Sequence, residues 1–539
     1  LSTLISTLIL VWIVFLTYYL IQQRNRDLVS DSGTPIPFGA DDFTAQPAPG
    51  RTGPFKVCVH DYDFSPNQGQ WLLGKIYAPV RDEETCVTRS TPFNLVLIAH
   101  ADGQGPTNQA HTNYDGLARH LASNALMVVS FNRYGLGTAA GAIDIFDQVL
   151  GTHLDYLYNS SPIKDFITNN VALIGHSAGG RSVLRFAEVV QQKGKKLKAL
   201  IALASTINLN EDYTLVEETD AFLGINITFD NDENAWGPKA NDQVMGSTFK
   251  AYDDAGTIAD EPNTLSLEKD MVFVDTKVFF VPEGSHYFQN QPFALAYINA
   301  FLQLHLNGHS IFRRFFKFQQ KPPSLDLSQS QIFGIWQQHA EKNRLVLANF
   351  ENDDITVNTL NGSIQLSAGI ENSEVGEAYI IDEFSPHNTK VLKFDLNVEN
   401  NNAPKLITFG FNEPTDLNAF GYLSFRATQV YHPDNNPSGT PKDFIIRLQS
   451  PDGNSEVNIS DFGGALHFPV IVSAPSGVFL TPPKTPANGQ TKNAMRSYLI
   501  PLREFTEVNF SAVTELTIDF SDCEGKTTLI FDDIEFYRL

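Results

Sequence analysis

The sequence predicts an α/β body with a mostly parallel sheet flanked by helices, followed by an all-β sandwich and preceded by an N-terminal transmembrane helix. Three observations carry this expectation. Between residues 55 and 307, continuous apolar runs such as Phe93–Ala99, Leu126–Phe131 and Leu197–Ala204 alternate with helix-like segments. Such runs mark strands buried on both faces, and the alternation marks βα units. From about residue 345 helical periodicity vanishes and short alternating runs lie between turn residues, as in a sandwich. Finally, Leu4–Ile21 is uncharged and apolar, long enough to span a bilayer as a helix.

Taken in order, residues 1–26 form the anchor. Tyr18 and Tyr19 suit a membrane interface, and Arg24 and Arg26 follow the span. The positive-inside rule alone would put the side carrying those arginines in the cytoplasm; basic residues upstream of the span would reverse this, and the folded body is expected to face the cell exterior or periplasm. Residues 27–54, rich in Asp, Gly, Pro, Ser and Thr, read as a linker. The α/β body covers 55–310. Its expected strands are Phe55–Val59, Trp71–Tyr77, the apolar runs above, Val171–Ile174, Thr248–Tyr252 and Lys277–Val281. Its expected helices are Tyr114–Ser123, Phe146–Tyr158 and 291–306. Residues 207–247 are polar and read as a lid-like excursion. Asp230, Asp232 and Asn234 there alternate like an EF-hand loop, but Ala235 and Asn241 stand where Gly and Glu are required. Residues 311–344, with the basic-aromatic stretch FRRFFKF, read as a packed connector, and 345–539 as the sandwich.

Composition bounds the partners. At 539 residues, with 42% hydrophobic content and a formal charge of −23, the chain has room for two or three cores. It lacks the basic footprint of a nucleic-acid binder. Of three cysteines, Cys58 and Cys86 lie in or near early strands and either pair, in an exported chain, or stay as two buried free thiols, and Cys523 stands apart.

The chemistry centres on Gly175-His176-Ser177-Ala178-Gly179, which follows an apolar strand and precedes the amphipathic run from Arg181. A G-x-S-x-G turn in that context exposes a serine at the carboxyl end of a sheet, above a helix N-terminus. A serine nucleophile needs a base, and the base an orienting acid. In the chain order Ser, acid, His, the base is His286, in the Gly284-Ser285-His286 turn. The acid is expected just past the strand ending at Tyr252: Asp254, with Asp253 and Asp260 as alternatives. The oxyanion hole is assigned to the backbone N–H groups of Ala178 and Asp102, with Ala101 as the alternative to Asp102. His176 reads as structural.

These residues, together with Ile98-Ala99-His100-Ala101 and Tyr114 to Ser123, resemble the α/β-hydrolase family, and within it the branch of chlorophyllases, platelet-activating-factor acetylhydrolases and polyester hydrolases. The resemblance covers residues 55–307 and departs at His100-Ala101, where the family has His-Gly. It implies a carboxylic ester hydrolase acting through an acyl-enzyme without a required cofactor, on a small-molecule, lipid or polyester substrate. A binding or adhesion protein on the same scaffold, or a peptidase or acyltransferase, are the alternatives. Arg496 to Leu502 and Leu529 to Phe536 are similar to galactose-binding-like and carbohydrate-binding-module sandwiches. That likeness implies a glycan or polymer ligand, with Tyr422, Tyr431 and Tyr498 as aromatic platforms. It also implies a structural calcium, with Glu351, Asp532 and Asp533 as ligands.

Overall fold

A computed structural model describes residues 48–64, 72–81, 92–101, 110–133, 144–205, 207–208, 219–227, 245–246, 248–254, 268–276, 289–318, 330–338, 344–381, 384–396, 403–430, 436, 441–466, 470–471, 491–492, 494–523 and 525–538. The first body is built on a nine-stranded sheet. In chain order its elements are β1 (Lys56–Phe64), β2 (Leu72–Val80), β3 (Phe93–Ala99), α1 (Asp115–Ser123), β4 (Met127–Phe131), α2 (Asp144–Asn159), β5 (Ile167–His176), α3 (Ala178–Gln192), β6 (Lys196–Leu203), β7 (Ala221–Ile227), α4 (Thr248–Asp254), β8 (Glu268–Thr276), α5 (Pro292–His305) and β9 (Ser330–Gln338). The strands lie in the order β1-β2-β4-β3-β5-β6-β7-β8-β9.

The expected α/β class with a mostly parallel sheet is corrected by this architecture. Strands make up 48% and helices 24% of the described residues, the large sheet is mixed, and the other sheets are antiparallel. Antiparallel pairing enters at both edges. β1 and β2 pair antiparallel with each other, β2 with β4, and β9 with β8. Only the centre, from β4 through β3, β5, β6 and β7 to β8, is parallel. The transmembrane span expected at Leu4–Ile21 lies outside the described residues. Among the described residues no helix is long and apolar enough to cross a membrane, and residues 1–47 lie outside them.

Three local expectations are also corrected. The lid-like excursion 207–247 contains β7, a buried strand at the heart of the sheet. Thr248–Tyr252, expected as a strand, is the start of α4. The connector 311–344 supplies β9, whose register places Trp336 opposite Asp270. The strand expected at Lys277–Val281 lies outside the described residues.

The central strands are rich in Val, Leu, Ile and Ala because helices cover both faces. Leu154, Leu157, Val183, Phe186 and Val190 cover one face, from α2 and α3. Leu117, Leu121, Ile298, Phe301 and Leu302 cover the other, from α1 and α5. Phe312, Phe315 and Phe316 of the basic-aromatic stretch join that second core.

The second body is a β-sandwich. Its elements are β10 (Arg344–Ala348), β11 (Ile364–Leu366), β12 (Ile370–Ile381), β13 (Phe384–Leu396), β14 (Leu406–Thr415), β15 (Phe420–Gln429), β16 (Ile445–Ser450), β17 (Gly453–Asn458), β18 (Arg496–Pro501), β19 (Val513–Asp519) and β20 (Thr527–Arg538). One sheet runs β12-β13-β20-β15-β18, with β10 also on β20; the other runs β11-β14-β19-β16-β17. Phe394, Phe425, Phe444, Phe520 and Phe531 interlock between them. The outer face of the first sheet packs on the nine-stranded body. Trp336 N–H donates to Ser497 Oγ at 3.0 Å, and the rings of Trp336 and Tyr537 lie 4.9 Å apart.

Candidate active site

β5 carries an unbroken apolar run between two parallel neighbours, then ends in Gly-His-Ser. Ser177 takes φ 55° and ψ −124°, and α3 begins at the next residue. A side chain at positive φ costs about 1–3 kcal/mol, and such strain persists only where the surroundings over-determine it. They do so here. Ser177 N–H donates to Leu203 O at 2.9 Å, and Ser177 O accepts from Gly180 N–H at 2.8 Å. Serine is a favoured helix N-cap, yet Ser177 makes no side-chain capping bond. Its hydroxyl is therefore not committed to the helix, while the helix dipole and the unpaired N–H groups of the first turn favour negative charge beside it.

The glycines after the serine let the turn close. A Cβ on Gly179 would sit 2.4 Å from Ala99 O and 2.5 Å from His100 O. A Cβ on Gly180 would sit 1.7 Å from Ser205 Oγ. The helix thus enters between the ends of β3 and β6 at a distance only glycine allows.

Buried polar groups brace the neighbouring loop. His100 Nε2 accepts from Arg133 N–H at 3.2 Å, so Nδ1 donates to Ala101 O at 2.5 Å. Burial holds this imidazole down at about 4, and it is neutral at pH 7. Ala101 N–H donates to Tyr114 Oη at 2.9 Å, which lies 2.7 Å from His176 Nδ1. Two assignments follow. His176 is a buried strut, as its place inside the turn suggested. Ala101, the alternative oxyanion donor, has spent its N–H on Tyr114. Ala178 opens α3 with its N–H in the first turn, where no intrahelical acceptor exists. Asp102, the other expected donor, lies outside the described residues, as do His286 and Asp260.

The acid candidates need re-reading. Asp253 is buried, and its Oδ1 is 2.7 Å from Arg426 Nη1 of the sandwich. It is a strut between the two bodies. Asp254 closes α4, a helix rather than a post-strand loop, and its side chain lies outside the described residues. α4 starts beside the serine turn, where Thr248 Oγ1 accepts from Ser205 N–H at 2.8 Å. Seven residues then carry it roughly 10 Å along its axis, to Lys269. There the ammonium donates to Tyr252 O at 2.9 Å, a cation at a helix C-terminus. The parallel strand between β6 and β8 is β7. Its carboxyl end lies on the same edge of the sheet as Ser177, two strands and about 10 Å across from β5. Asp230 and Asp232 follow it in the chain.

The expected calcium ligands do gather, but around a cation of the chain's own. Arg426 pairs through Nη2 with Asp532 and through Nε, at 2.8 Å, with Asp533. Thr389 Oγ1 lies 2.9 Å from Glu351 Oε1 and 3.0 Å from Asp532 Oδ2. A guanidinium stands among the carboxylates, so these residues do not fit a calcium ion. The aromatic platforms are corrected too. Tyr422 and Tyr498 are buried, Tyr498 stacked on Phe425 at 5.2 Å, and Tyr431 lies outside the described residues. Tyr114 and Arg426, which organise the two polar centres, gave no local signal in the sequence. Their partners come from distant segments.

Cys58 is disulfide-bonded and Cys523 is free and buried; Cys86 lies outside the described residues. No protein-family model matches this chain, and no curated protein is significantly similar to it.

Proposed function

We propose that the chain is a serine hydrolase that cleaves carboxylic esters, with Ser177 as nucleophile. The observation that carries this reading is the strained φ of Ser177, held between a parallel strand and a helix N-terminus with its hydroxyl uncommitted to the helix. Such strain has a use where an oxygen must be presented to a substrate carbonyl. Attack by Oγ forms a tetrahedral intermediate, and the Ala178 N–H at the helix N-terminus favours its oxyanion. Collapse releases the alcohol and leaves an acyl-enzyme, which water hydrolyses.

His286 is the base in this reading. It follows β8 in the chain, whose carboxyl end shares the edge of Ser177, three strands from β5. Asp230, three residues past β7, takes the place first given to Asp254 as the orienting acid. The second oxyanion donor is Asp102 N–H, since Ala101 is engaged. The disulfide at Cys58 supports an oxidising compartment.

Hydrolysis of short and medium p-nitrophenyl esters tests the reading. Ser177→Ala and His286→Ala should each lower kcat by at least about 10³-fold. Asp230→Asn should cost about 10²–10⁴-fold, and Asp254→Asn less than tenfold. Equal activity of Ser177→Ala and the parent overturns the proposal. A large loss in Asp254→Asn with none in Asp230→Asn returns the acid to Asp254.

A further inference from the structure

At the opposite edge of the nine-stranded sheet, three metal-ligating side chains converge where no catalytic role has been given. Glu268 and Asp270 sit at the start of β8, two residues apart and hence on one face of the strand. His305 is the last residue of α5. One ligand atom from each lies within 4.8 Å of the others. The nine residues of β8 place this cluster about 26 Å from the carboxyl end of that strand, so it is separate from the Ser177 turn.

The cluster is incompletely satisfied. Asp270 is only 1% exposed, and both its carboxylate oxygens lack a hydrogen-bond partner. His305 Nε2 is likewise buried without one. Leaving a carboxylate desolvated and unpaired costs several kcal/mol, a cost that a cation bound between Asp270 and His305 would remove. The remaining groups are accounted for. Glu268 Oε1 accepts from Trp336 Nε1 at 3.0 Å and lies 3.6 Å from Arg313 Nε. Lys317 Nζ is held 4.9 Å over the rings of Trp336 and Tyr422. Asp220 is paired with Lys198. Neither cation is paired with Asp270.

We propose that Glu268, Asp270 and His305 form a divalent-cation site of the zinc class. One imidazole nitrogen with two carboxylates is a zinc-type donor set, with bonds of about 2.0–2.2 Å and water completing a tetrahedron. Side-chain rotations close the present spacing onto such an ion. The Trp336 N–H is the outer hydrogen bond that orients a ligating carboxylate. An ion here ties β8, the end of α5 and, through Trp336, β9, so it stabilises the sheet edge on which the sandwich rests.

The full chain, stripped with EDTA and dialysed, is titrated with zinc chloride by calorimetry, and its metal content is measured after gel filtration. One equivalent bound with a Kd below about 10 µM is expected, with a Tm several degrees higher in zinc than in EDTA. His305→Gln and Asp270→Asn should each weaken binding at least tenfold, while Glu351→Gln, in the other acidic cluster, leaves it unchanged. Should Asp270→Asn fail to fold, the partly buried His305→Gln decides. A parent chain that takes up no stoichiometric zinc, or an unchanged Kd in His305→Gln, overturns the proposal.

Discussion

Ser177 and Arg426 each sit in a buried polar centre, one held by backbone and the other by charge. Around Ser177 the constraint is steric. Hydrogen bonds between main-chain groups and the absence of Cβ atoms at Gly179 and Gly180 force one residue into an unusual conformation. Around Arg426 three carboxylates from two bodies converge on one guanidinium. The first arrangement leaves a hydroxyl uncommitted to the helix. The second commits its one guanidinium to three carboxylates and joins the bodies. Asp253, one residue from the first choice of triad acid, belongs to the second kind.

Perturbing the two centres should therefore give opposite signatures. The largest loss of stability is expected from Arg426→Met. It leaves Asp253, Asp532 and Asp533 buried without their cation, and should cost about 3–5 kcal/mol in chemical denaturation. A cost under about 1 kcal/mol would mean that the carboxylates find another partner. Gly179→Ala comes next. Its Cβ meets two backbone carbonyl oxygens that have no rotamer to escape into, so about 3 kcal/mol of stability and most ester hydrolysis should go together. An active, stable Gly179→Ala would break the steric account of the turn.

Asp253→Asn sharpens the contrast. It keeps the shape and removes one of three charges on Arg426. Stability should fall by about 1–3 kcal/mol, while kcat stays within about threefold of the parent. A thousandfold loss of kcat would make Asp253 catalytic after all.

The last comparison is pH dependence. Burial holds His100 at about 4 and His153 at about 3, against roughly 6.5 for an exposed imidazole. Below about pH 6.5 the unfolded chain binds these protons and the fold does not. Stability therefore falls as pH falls through that window, by about 1.4 kcal/mol per pH unit for each histidine. Denaturation midpoints at pH 7.5 and 5.5 measure the slope. His153→Gln should reduce it by one proton, and an unchanged slope would remove His153 from the account.

What was legible in the sequence follows the same division. The Ser177 turn is written in consecutive residues, because a strand, a tight turn and a helix start are local events. The alternating runs read as sandwich strands each overlap an observed strand, with Phe444, Leu502 and Phe520 falling just outside one, since alternation is also local. Long-range pairing was not legible. β7 is broken in pattern by Gly224 and Asn226 and embedded in polar sequence, so it read as part of a lid. Thr248–Tyr252 is too short for its period to separate strand from helix. In the fold it is helical, tied to Ser205 at its start and to Lys269 near its end. β9 was hidden in a connector because nothing local reveals that it closes a sheet edge antiparallel. Arg426 reads as one arginine in a strand until the fold brings Asp253, 173 residues away, against it.

The most direct test of the central claim is covalent. The parent chain and Ser177→Ala are treated with a fluorophosphonate and digested, and the modified peptide is identified by mass spectrometry. The account predicts one adduct per chain, on the peptide carrying Gly175 to Gly179, absent from Ser177→Ala and slowed at least about tenfold by His286→Ala. An adduct on another serine, or equal labelling of the parent and Ser177→Ala, would contradict it.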